Sequence, residues 1–102
     1  MKIRPEVQVL VDMGQLPSAM TADSDALEAF DHAVGEVIPP VTVDESLALA
    51  RLLGPDECFG LGWSLIHLIE TAPDWPVTLA QISCEPYWLD LLMQRARNAG
   101  AY

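Results

Sequence analysis

"KIRPEVQVLVDM", residues 2–13, decides whether this chain is all-helical or mixed. Ile3, Val7, Val9, Val11 and Met13 sit at alternate positions, as the residues on one face of a strand do. Read instead as a helix from Pro5 to Gly14, the same residues place Val7, Leu10 and Val11 on one stripe. A strand must find another strand to pair with, and no second strand pattern occurs anywhere in the chain. The helical reading is therefore adopted, and with it an all-α fold.

Working outward, the punctuation after this segment is that of a helical domain. Gly14 followed by Pro17 is a stop signal. Residues 21–25 are polar and acidic, suited to a helix entry, and Leu27, Phe30, Val34 and Val37 then recur at helical spacing until Pro39-Pro40. Thr42-x-x-Glu45 is a capping box that opens an apolar run through Leu53, ended by Gly54-Pro55. A fourth helix is expected from near Pro55 to just before Pro73, and residues 72–78, "APDWPVT", read as a loop. The last helix is expected over residues 86–98, with Trp88, Leu91 and Leu92 on one face. Arg95 and Arg97 fall in its final turn, where the helix dipole favours cations, and Gly100 follows. The expected architecture is one compact domain, residues 1–102, of four to five helices with a tight helical hairpin at Gly54-Pro55.

The fourth helix is apolar on almost every side. Projected at ~100° per residue, Gly60, Ser64, His67 and Thr71 align as a narrow small-and-polar seam, extended by Asp56. Gly60 and Ser64 are expected to admit a close backbone neighbour, and His67 to form the seam's polar edge with Glu70 as a candidate partner. Trp63 and Trp88 are expected in the core, while Trp75, between prolines, is expected to pin its loop to the body.

Composition bounds the function. Half of the residues are apolar, too many for a disordered chain, and 102 residues suffice for a core without metal or disulfide staples. Fifteen acids face five bases, for a net charge of -10. Between Arg4 and Arg51 there is no lysine or arginine, but there are Glu6, Asp12, Asp23, Asp25, Glu28, Asp31, Glu36, Asp44 and Glu45. Such a surface repels phosphate backbones, which argues against nucleic-acid binding, and attracts basic proteins. No apolar stretch is long enough to span a membrane, and Met1-Lys2 leads into no signal-peptide pattern. A cytoplasmic, reducing setting with Cys58 and Cys84 as free thiols is expected.

Catalytic and metal patterns are weak. His67-x-x-Glu70 and Glu28 with His32 have helical ligand spacing, but nothing turns them toward one another, and Cys58 and Cys84 lack CxxC spacing. Gly60-x-Gly62 follows no strand, so it is no phosphate loop. Cys58 and His67 fall on opposite faces. No metal, cofactor or catalytic residue is assigned. Ser46, in "DESLALA", resembles the Asp-Ser-Leu attachment motif of acyl carrier proteins, with Glu45 in place of the Asp; the resemblance implies a carrier modified at Ser46.

The run "LLGPDECFGLGWSLIHLIETAPDWP", with "YWLDLLMQRARNAG" after it, resembles a group of small, acidic, uncharacterised actinobacterial proteins. That resemblance implies a discrete helical domain and no particular activity. From charge and the missing catalytic constellation, the expected function is a non-enzymatic protein-binding module, in its most concrete form an immunity- or antitoxin-like inhibitor of a basic, nuclease-type protein. The expected contact residues are Asp23, Asp25, Glu28 and Asp31, then Asp44 and Glu45. The alternatives are the Ser46 carrier and a self-associating assembly subunit.

Overall fold

The computed structural model describes residues 3–73, 75 and 81–98. Five helices are present: α1 (Pro5–Met13), α2 (Ser24–Gly35), α3 (Val43–Ala50), α4 (Leu61–Ile69) and α5 (Pro86–Asn98). There is no strand among the described residues. The first segment is a helix, and the reason is visible in its burial. Val7 and Leu10 are fully buried, while Val9 and Met13 face outward, so the alternation of apolar residues does not correspond to two faces of a sheet. Gly14, at φ 85°, ends α1 with its N–H donating to the Val11 carbonyl.

α2 begins where Asp23 accepts a hydrogen bond from the Ala26 N–H. It buries Phe30 and Ala33 and packs Leu27 and Val34 partly against the core, with Val37 buried just beyond its end. A cis Pro39-Pro40 peptide then leads to α3. The capping box is formed in full: Thr42 Oγ1 accepts from the Glu45 N–H at 3.1 Å, and Glu45 Oε1 accepts from the Thr42 N–H at 2.8 Å. α3 and α4 make the most extensive helix–helix contact, α1 lies against both α2 and α3, and α2 touches α4 more lightly. The core runs between these four helices through Leu10, Leu49, Leu53, Leu65, Ile66 and Ile69. The radius of gyration, 12.9 Å, is that of a compact chain of about 100 residues.

Two expectations about the centre of the chain are corrected. The fourth helix does not start near Pro55 but at Leu61, and the turn between α3 and α4 is a ten-residue connection rather than a tight hairpin. Asp56 is the cause. Its Oδ1 accepts from the Cys58 N–H at 2.9 Å, and its carboxylate also takes the Ala19 N–H and the Ser18 hydroxyl. A side chain that satisfies the local backbone in this way competes with the helical ladder. Cys58, Phe59 and Gly60 then all take left-handed backbone angles, and Gly60 caps α4 at φ 90°.

Gly60 is therefore a conformational glycine, with nothing within 4 Å of where its Cβ would stand, and the close approach expected at Gly60 and Ser64 occurs one step away. A Cβ on Gly62 would lie 2.7 Å from the Trp88 ring. Trp88, fully buried, anchors α5 by that contact and by donating its indole N–H to the Gly54 carbonyl at 2.9 Å. Trp63 meets it edge-on, with centroids 6.1 Å apart, and lies under the Arg95 guanidinium. Trp75 packs its half-buried side chain on the core, as a loop pin should. The remainder of the "APDWPVT" loop beyond Pro73, like Gly100, lies outside the described residues.

Candidate functional site: an acidic helix face beside an exposed phenylalanine

α2 buries only Phe30 and Ala33 along its length. With Phe30, Ala33 and Val37 turned inward, helical geometry sends Asp25, Glu28 and Asp31 outward, and all three are exposed. Asp23 is exposed as well, but its side chain is engaged as the helix cap. At the far end of α2, His32 pairs with Glu36 at 3.5 Å. No lysine or arginine pairs with Asp25, Glu28 or Asp31 among the described residues.

The structure adds Phe59, which a helix starting near Pro55 would have carried among its apolar faces. Phe59 is 74% exposed. It lines a shallow depression of about 280 Å³ together with Leu27, Glu28, Asp31 and Leu61. Read as part of a helix from Pro55, Phe59 belongs with the apolar faces; placed in a left-handed turn, it points to solvent. The detectable signal was Asp56-x-Cys58, an aspartate able to bond the backbone two residues on, with a glycine two positions further at Gly60. Left-handed angles at a bulky residue cost roughly 1–2 kcal/mol, and here Cys58 and Phe59 adopt them in succession.

The α3 acids behave differently. Asp44 is half-buried in the first turn of α3, a helix packed on α1 and α4 rather than on α2. Glu45 is not a contact residue for any partner: it has no exposed surface. The Arg4 guanidinium donates to both of its oxygens, through Nε to Oε2 at 2.9 Å and Nη2 to Oε1 at 3.1 Å. The Arg4 backbone N–H donates to Oε2 as well. Burial pushes the Glu45 carboxyl pKa upward, but the hydrogen bonds from Arg4 and the Thr42 N–H outweigh it and hold the value at about 2. Turned back over the N-terminus of α3, the capping-box glutamate meets the N-terminus of α1, where Arg4 encloses it.

Ser46 is equally inaccessible. It is fully buried, and its hydroxyl donates to the Val43 carbonyl at 2.7 Å, so the side chain is not presented for attachment of a prosthetic arm. The two cysteines are free, and burial, the main cause, raises both thiol pKa values, with Asp56 adding to the effect at Cys58 and Glu85 at Cys84. Neither is set up as a thiolate nucleophile. His67 is exposed, and its candidate partner Glu70 is taken by Arg95 in a two-pronged pair, each N–O distance 2.7 Å. Of the expected seam, Gly60 precedes α4 with no close neighbour, His67 is exposed, and Thr71 donates to the Leu68 carbonyl while accepting from the Val41 N–H.

No protein family, no curated protein and no solved structure matches the chain. No described helix is long and apolar enough to cross a membrane.

Proposed function

We propose that this chain is a non-enzymatic, acidic protein-binding module, and that its concrete role is an immunity- or antitoxin-like inhibitor of a basic, nuclease-type protein. The observation that carries the reading is the row Asp25, Glu28 and Asp31 on the outer side of α2, set beside the exposed Phe59 ring. Carboxylates spaced along a helix offer a basic groove the negative charge that a phosphate backbone would supply. A single aromatic among them supplies the desolvated anchor that interface energetics favour. Asp23 contributes charge while serving as the cap, and Asp44 contributes at most to the long-range field. A cytoplasmic setting and kinship with small acidic actinobacterial proteins are part of the same proposal, the latter resting on a resemblance over residues 47–98.

The test is capture of partners from host lysate at low and high salt, followed by measured affinity for whatever basic protein is held. Replacing Asp25, Glu28 and Asp31 together by lysine is expected to reduce the association rate at low salt by about tenfold or more. Binding that is indifferent to salt and to those substitutions would overturn the reading.

Self-association is the second reading, favoured by Val9 and Met13, each nearly half exposed on α1. They line a groove against Ala29 and His32 of α2. Glu6 and Glu36 flank that groove, so pairing of two copies there is opposed by like charge at low salt. Light scattering at high salt, where that repulsion is screened, separates the two: the inhibitor reading expects a monomer there as well, and self-association expects a dimer.

A further inference from the structure

On the side of the molecule formed by α1 and α3 lies a partly enclosed cavity of about 370 Å³, walled by Ile3, Val11, Leu47 and Leu52. Its rim carries Arg51, the residue that caps the C-terminus of α3, and Ser83. The two other arginines of the helical body with acidic partners are committed, Arg4 to Glu45 and Arg95 to Glu70. The Arg51 guanidinium makes no ion pair or hydrogen bond among the described residues, although the chain has three times as many acids as bases. A cation left uncommitted at the mouth of an apolar cavity is complementary to one chemical class, an anion with an apolar tail.

We propose that this cavity binds a small amphiphilic monocarboxylate, with its tail against Ile3, Val11, Leu47 and Leu52 and its carboxylate on the Arg51 guanidinium. The volume lies at the lower end of small-molecule sites, which suits a chain of about eight to twelve carbons rather than a long lipid. Both parts of the ligand are needed. The net charge of -10 repels a bare anion, so a carboxylate without a tail gains too little at an exposed arginine to bind. A tail without a carboxylate leaves Arg51 unpaired. The site is separate from the acidic face of α2, so it stands or falls independently of the function proposed above.

The experiment is an NMR titration of the full chain with sodium octanoate below its micelle concentration, alongside 1-octanol and sodium acetate. Saturable shifts confined to residues around the cavity are expected with octanoate, with acetate inert. Arg51→Gln is expected to weaken octanoate roughly three- to tenfold while leaving 1-octanol unchanged. Arg97→Gln removes another cation outside the cavity and is expected to leave octanoate affinity unchanged. Absence of saturable shifts, equal affinity for octanoate and 1-octanol, or indifference to Arg51→Gln would each overturn the proposal. So would a diffusion measurement showing that octanoate dissociates a dimer, because the cavity would then belong to a second copy of the chain.

Discussion

Glu45 is a carboxylate with no contact with water, and its stability role follows from where its proton goes. Folding lowers its pKa from the ordinary 4.5 to about 2, so on acidification the unfolded chain takes up that proton first. The stabilisation is complete above pH 4.5 and is lost as pH falls from there toward 2. Thermal melts of the native chain and Glu45→Gln should therefore differ most near neutral pH and converge across that window. Removing the side chain by Glu45→Ala strands Arg4 and opens the α3 cap, at a cost of roughly 2–4 kcal/mol at neutral pH. At Phe59 the opposite sign is expected. Asparagine tolerates left-handed angles better than phenylalanine, so Phe59→Asn should raise stability by up to about 1 kcal/mol while weakening partner binding. A chemical melt paired with an affinity measurement reads both effects, and a variant that loses stability and keeps affinity would remove Phe59 from the proposed interface.

At the scale of elements, α5 docks on the body through Trp88, Leu92 and Ala96, all fully buried. Its further ties are the Trp88 ring against Gly62 and edge-on to Trp63, the Trp88 indole on the Gly54 carbonyl, and Arg95, which pairs with Glu70 and lies over the Trp63 ring. Trp88→Phe keeps most of the ring and leaves the buried Gly54 carbonyl unsatisfied, costing about 1–3 kcal/mol. Gly62→Ala attacks the same joint from the α4 side, since a rigid ring 2.7 Å from the new Cβ has to move. Both variants should show hydrogen-exchange protection falling first in α5, before α3 and α4. Loss of protection that begins in α3 would show that Trp88 supports the whole core rather than one helix. Sequence periodicity located α1, α2, α3 and α5 closely, because each has its own stop or cap: Gly14, Asp23, Thr42 with Glu45, and Pro86. It overextended α4, because nothing in an apolar run says that Asp56 will bond Ser18 and Ala19 and bend the backbone away from the helix.

For the whole molecule, charge distribution matters more than any single pair. The acids of α1 and α2 form a nearly uncompensated negative field, since Arg4 is spent on Glu45 and the remaining described cations lie at Arg51 and on α5. Association with a basic partner is expected to slow by about an order of magnitude between low and 0.5 M salt, with a much smaller change in the dissociation rate. Stopped-flow mixing at a series of salt concentrations measures this directly. A salt effect confined to dissociation would place the important charges in a desolvated interface rather than in a steering field.

The all-α class, four of the five helix positions, the capping box and the acidic excess were fixed by sequence alone, because they depend on local periodicity, capping chemistry and composition. What only tertiary structure decided was accessibility. Asp25, Glu28 and Asp31 stay in water, whereas Glu45 is buried under α1 by an arginine forty-one residues away in sequence. Phe59 is outside because Asp56 binds backbone and hydroxyl groups from the α1–α2 connection. Both outcomes hinge on long-range hydrogen bonds, and such bonds leave no periodic trace in the residues that make them.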